Sequence, residues 1–112
     1  MGVGQYILDG HTPVLCADLI TWAMWFETAE RTVARTETAD GARISTVFLG
    51  LDHRFGSDGP PLLFETMIFG GAQDGYQERY ATWDEAVEGH AIAVDIANHP
   101  RLPSAVDPVG FD

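Results

Sequence analysis

The chain has 112 residues, a length that supports one hydrophobic core and not two. Hydrophobic residues make up 46% and charged residues 21%, which excludes an intrinsically disordered composition. Seventeen acids against six bases, all arginine, give a net charge of −11. Neither a nucleic-acid backbone nor an anionic membrane is therefore an expected partner, since both need a positive face.

A single cysteine, Cys16, allows no internal disulfide, and a cytoplasmic setting is expected. No apolar run is long enough to span a bilayer. Met1-Gly2-Val3-Gly4 lacks the charged segment and apolar stretch of a secretion signal, so none is expected.

In chain order, residues 5–8 read as a short strand, Asp9-Gly10 as a turn, and residues 11–16 as an extended connector containing Pro13. Asp18 is suited to cap a helix over residues 19–31. Strand formers at 32–38 and 42–51 flank Ala39-Asp40-Gly41, and Asp-Gly between such runs signals a hairpin. Residues 52–60 form a turn-rich loop, and 62–69 read as a central strand, apolar on both faces. After a loop at 70–75, residues 76–80 suit a short edge strand. Thr82-Trp83-Asp84-Glu85 is a capping box opening a helix over 83–98, with the acids at the positive end of its dipole. Asn98-His99-Pro100 ends that helix, and 99–112 reads as a Pro-containing tail beyond a single compact domain at 1–98. The order β-α-β-β-β-(β)-α predicts an α+β fold, a mainly antiparallel sheet of four to five strands with two helices on one face.

Winding each helix at 100° per residue assigns its faces. In the first, Leu19, Trp22, Ala23, Phe26 and Ala29 form the expected core stripe, with Trp25 at its margin and Ile20 and Met24 outward. In the second, Trp83, Ala86, Val87, His90, Val94 and Ala97 are expected inward. Asp84, Glu85, Glu88 and Asp95 are expected outward, with Ile92 and Ile96 among them. In the central strand, Leu62, Phe64 and Ile68 alternate with Leu63, Met67 and Phe69, so a face not covered by helices still carries large apolar groups. The outward apolar pairs and the acidic ridge are candidate partner-binding residues: Asp84, Glu85, Glu88, Ile92, Asp95, Ile96, Ile20 and Met24. Six acids lie between positions 74 and 95 against Arg79 alone, a distribution that steers basic partners and also keeps a protein dispersed.

Residue patterns for catalysis are thin. His90, in an apolar stripe, reads as a satisfied core histidine. Asp52, His53 and Asp58 share a loop but lack the ligand number and geometry of a metal site, and a solvated loop is the expectation. Cys16 precedes a helix without a His or Asn partner and reads as a small buried residue. The glycine-rich segments 56–59 and 70–71 match no phosphate-binding pattern, and there is no lysine to meet a phosphate. No catalytic residue, cofactor or metal is expected.

Leu62-Leu63-Phe64-Glu65-Thr66-Met67-Ile68-Phe69-Gly70-Gly71, then Arg79-Tyr80-Ala81-Thr82-Trp83-Asp84-Glu85-Ala86 and Gly89-His90, resemble a group of small acidic proteins of tailed phages and prophages. Residues 6–14 and 49–53 are similar to the same group. The resemblance implies a host-cell cytoplasmic setting or a virion-accessory role, and it carries no catalytic residue over. Together with the charge pattern it gives the expectation of a non-catalytic protein that docks on a host or defence protein with a basic surface. By analogy it would inhibit or modulate that partner, as anti-CRISPR proteins and nucleic-acid mimics do. The alternatives are a phage particle or assembly protein, which would self-associate, and a small metal-dependent enzyme centred on Asp52, His53 and His90.

Overall fold

The computed structural model describes residues 4–52 and 58–99. The fold is α+β, with two helices and two antiparallel sheets among the described residues. The expected tail from Pro100 onward, together with His53, Arg54, Gly56 and Ser57 of the turn-rich loop, lies outside the described residues.

Strands β1 (Tyr6–Asp9) and β2 (Thr12–Leu15) form a two-stranded hairpin. The Asp9-Gly10 turn signal is correct, with Gly10 at φ +63°. The extended connector, however, is the second arm of that hairpin. Pro13 hid it, since proline cannot donate to a ladder and is tolerated only where no partner needs its amide.

Helix α1 (Leu19–Thr28) starts where expected: the Asp18 carboxylate accepts from the Thr21 amide at 3.0 Å. It ends three residues early. The Glu30 carboxylate takes the Thr32 amide, and the Arg31 carbonyl accepts from the Phe48 amide, so the chain is already committed to the sheet.

Strands β3 (Thr32–Glu37), β4 (Arg43–Phe48), β5 (Phe64–Phe69) and β6 (Gln77–Tyr80) form a meander in sequence order. β5 is central and β6 an edge, as the sequence predicts. A register shift between Thr32 and Ala34 bulges β3. Ile44, Thr46 and Phe48 of β4 align with Ile68, Thr66 and Phe64 of β5, and all six are buried.

Helix α2 (Trp83–Asn98) packs on this face, in contact with all four strands of the meander. Its capping box is complete. The Thr82 hydroxyl accepts from the Glu85 amide at 3.1 Å, and the Glu85 carboxylate accepts from the Thr82 amide at 3.3 Å. Such a cap contributes about 1 kcal/mol. Ala86, His90 and Ala97 are buried as expected, but Gly89 and Ala93 are buried with them, while Val87 is 48% exposed. Small residues win the contact because they let the helix axis approach the sheet. A Cβ at position 89 would lie 2.2 Å from the Tyr80 ring, so only glycine fits there.

The core has two parts. Ala42, Ile44, Ile68, Ala93 and Ala97 pack under the C-terminal half of α2. Phe48, Leu63, Phe64 and Ala86 pack at the other end, closed by Tyr6, Leu8, Trp25, Val33, Tyr80 and Trp83. Leu63 is thus buried rather than stranded on an uncovered face. The hairpin and α1 assemble at this second end. The Tyr6 amide donates to Gly50 O at 2.8 Å, the Trp22 indole donates to Tyr6 O at 3.0 Å, and Trp25 meets Phe48 edge-on with centroids 5.8 Å apart. Gly50, at φ +79°, leaves room for the Phe26 and Trp22 rings. α1 therefore sits against β1 and the end of the meander, while α2 covers the sheet.

Candidate functional site

The rotation of α1 decides which side chains face out. Trp22, Trp25, Phe26 and Ala29 are half-buried, and no residue of the helix is fully buried. Leu19, Ile20 and Met24 are 60%, 69% and 67% exposed. Ile20 and Met24 are outward as expected. Leu19 and Ala23, expected in the core, join them, because the large aromatic surfaces of Trp22, Trp25 and Phe26 turn the helix toward themselves. The outward surface has two rows, Leu19–Ala23–Glu27 and Ile20–Met24, each stepping by one turn. Leu15, four residues upstream of Leu19, is also 62% exposed. A helix with large apolar side chains on both its inner and its outer face is ordinarily enclosed by its protein. This one is not.

Acids flank that surface along the chain. Asp18 caps the helix, Glu27 lines the groove and Glu30 follows the last turn, and all three are exposed. Hydrogen bonds from the Thr21 hydroxyl and amide lower the Asp18 carboxyl from its ordinary value, and hydrogen bonds from Thr32 lower that of Glu30. Residues 1–30 contain neither lysine nor arginine. The nearest arginine, Arg31, is turned onto its own chain. Its guanidinium lies 3.9 Å from the Phe26 ring centroid and donates to Phe48 O at 3.0 Å.

The other candidate residues lie on α2. Asp84, Glu88 and Asp95 share its outward ridge and are exposed, as is Ile92 at 56%. Three details modify the expectation. The Glu85 carboxylate is occupied by the Ala81 and Thr82 amides, Asp95 lies 3.2 Å from the His99 ring, and Ile96 is half-buried. A shallow groove beside this ridge is lined by Glu85, Glu88 and Ile92 with Pro60, Leu62 and Arg79. The apolar rows of α1 line a separate groove of their own. Ile20 and Met24 thus line one groove and Ile92 another, on separate elements.

His90 is 6% exposed and held by threonines on both ring nitrogens: Thr36 Oγ1 lies 2.9 Å from Nε2 and Thr46 Oγ1 2.7 Å from Nδ1. Thr46 continues to Thr66 at 2.5 Å. Burial pushes the imidazole below its ordinary pKa, so it is neutral at pH 7, with one nitrogen donating and the other accepting. This is a satisfied core histidine. The three threonines around it were not singled out from the sequence, although Thr46 and Thr66 stand in the inward register of their strands.

The remaining expectations resolve locally. Asp52 accepts from the Leu62 amide at 3.1 Å, which ties the loop to the start of β5. Cys16 is half-buried rather than buried, its thiol 3.7 Å from Asp18 O. Among the described residues no three metal-ligating side chains converge, and no helix is long and apolar enough to cross a membrane. No protein-family model, curated protein or solved structure matches the chain.

Proposed function

We propose that this chain is a non-catalytic docking protein that attaches to a protein partner through the outward face of α1, with the acidic ridge of α2 biasing which partners approach. One observation carries the reading: α1 has seven apolar residues out of ten and buries none of them fully. Enclosing a side chain such as Ile20 or Met24 is worth about 1.5–3 kcal/mol, so a partner that covers several of them gains a usable affinity. The negative charge supports a basic partner surface, since such a field raises the rate of encounter. The resemblance to acidic phage proteins makes a host or defence factor the partner of choice, inhibited or modulated by occupation of its surface.

The test is recovery of partners from a bacterial lysate on the immobilised chain. Recovery is expected to fall with Ile20→Asp and Met24→Asp and to fall less with Glu88→Arg. Unchanged recovery with both α1 variants, their folds intact by circular dichroism, refutes docking through this helix.

A second reading, a particle or assembly accessory protein, draws on the face of the meander that α2 leaves uncovered. There Val47 and Met67 are half-buried and Phe69 is 39% exposed under the Arg43 guanidinium, 4.8 Å from its ring centroid. Concentration-dependent association that Phe69→Glu abolishes would favour it.

A further inference from the structure

We infer that the occupant of the α1 surface is a basic amphipathic helix, its apolar stripe laid on Leu19, Ile20, Ala23 and Met24 and its lysines or arginines drawn to Glu27, with Asp18 and Glu30 adding negative charge nearby in the chain. The inference rests on the docking reading above and specifies its partner.

Three features of α1 select this chemistry. First, the backbone amides and carbonyls within α1 are used by the helix itself, so a partner gains nothing there by strand addition and must bind through side chains. Second, the exposed rows run along i, i+4 spacings, and such ridges receive the matching ridges of another helix. At 1.5 Å per residue the ten residues of α1 present about 15 Å, enough for two to three turns of a partner. Met24, unbranched and polarizable, adapts to whatever apolar side chain meets it. Third, the charge is one-sided. Three exposed carboxylates lie on the helix or beside it in the chain, no lysine or arginine precedes Arg31, and the Arg31 guanidinium is spent on Phe26 and Phe48.

The same charge argues against the other occupants. A second copy would bring like charge toward like, with −11 on each chain. An anionic bilayer attracts helices whose polar rim is Lys- and Arg-rich, the reverse of this one.

The experiment is calorimetric titration of the full chain with three synthetic peptides. One has leucines at i, i+3, i+4 and i+7 with lysines elsewhere. One replaces every lysine with glutamate. One scrambles the leucine and lysine order. The leucine–lysine peptide is expected to bind at least about tenfold more tightly than either control. Ile20→Asp is expected to weaken it by at least about tenfold, with Met24→Glu as a second variant should the first unfold. Ile92→Asp on α2 is expected to leave binding unchanged, and added salt to weaken it.

Equal binding of the scrambled peptide, or binding that survives both α1 variants, means diffuse charge attraction and overturns the inference. Preference for the glutamate peptide overturns the basic partner but leaves docking through α1 standing. So does a dimer in sedimentation that Ile20→Asp abolishes. Binding to phosphatidylglycerol vesicles through α1 in place of any peptide overturns the inference and the docking reading together. If no peptide binds, the inference fails; if lysate recovery is also indifferent to the α1 variants, the docking reading fails with it.

Discussion

The ring of Tyr80, on the edge strand β6, occupies the space a side chain at position 89 would need: a Cβ on Gly89 would stand 2.2 Å from the phenol oxygen. Glycine in mid-helix ordinarily costs stability relative to alanine. Here it is the condition for α2 and β6 to meet. Gly89→Ala is expected to lose about 1–3 kcal/mol, where an open helical site would gain up to about 1 kcal/mol. Urea unfolding at constant m-value reads the sign directly.

A second consequence concerns the Tyr80 hydroxyl, which is out of reach of solvent without a well-formed hydrogen bond. The Thr66 hydroxyl is near enough to bear on its acidity but is already engaged with Thr46. Removing an unpaired buried polar atom costs nothing, while removing one partner of a satisfied pair costs about 1–3 kcal/mol. Tyr80→Phe is therefore expected to be neutral or stabilising. Thr46→Val, nearly equal in volume, is expected to be clearly destabilising, because it orphans His90 Nδ1. Denaturation midpoints of the two variants on opposite sides of the wild type would bear this out.

Stability is expected to fall in mild acid through His90. An unfolded imidazole takes its proton near pH 6.5, whereas the buried one takes it only at lower pH. Protons therefore favour the unfolded chain. The contribution is full above pH 6.5 and is lost as pH falls through the folded-state value. Asp18, Glu30 and Asp40, whose carboxyls hydrogen bonds hold low, add a separate loss that begins only in the carboxylate range. Unfolding free energies at about pH 7.5 and 5.5 should differ more for the wild type than for His90→Gln. Equal differences would exclude His90 as the source.

The orientation of α1 gives a contrast between neighbours. Ala23→Asp and Met24→Asp, on the exposed rows, are expected to change stability by less than about 0.5 kcal/mol. Trp25→Ala, which removes a ring packed edge-on to Phe48, is expected to cost about 2 kcal/mol or more. A large loss on Ala23→Asp would restore the face that simple winding suggests.

What could be read from the residues was local chemistry. Asp18 and the Thr82–Glu85 box cap their helices as expected, since a short polar side chain at that position has one productive use. The central place of β5 and the edge place of β6 follow from an apolar run against a short polar one. Faces were harder. Seven of the ten residues of α1 are apolar, so periodicity placed Trp22, Phe26, Ile20 and Met24 but not Leu19 and Ala23, where the packing of three aromatic rings decides. In α2, Ala86, His90 and Ala97 are buried and Val94 packs on the core as expected, whereas Val87 is exposed and Gly89 and Ala93, at four-residue spacing with Ala97, complete the contact. That ladder of small residues was the available signal, and it speaks of close approach rather than of hydrophobicity. β2 was missed because Pro13 masks a strand whose ladder needs nothing from that nitrogen.

In the four-stranded sheet every strand lies beside its predecessor in the chain. Few long loops must close before pairing begins, and the conformational search is correspondingly short. Neighbouring strands can pair before α2, last of the described elements, covers their common face. What stays non-local is the docking of β1 and α1, where the Tyr6 amide must find Gly50 O and Trp25 must find Phe48.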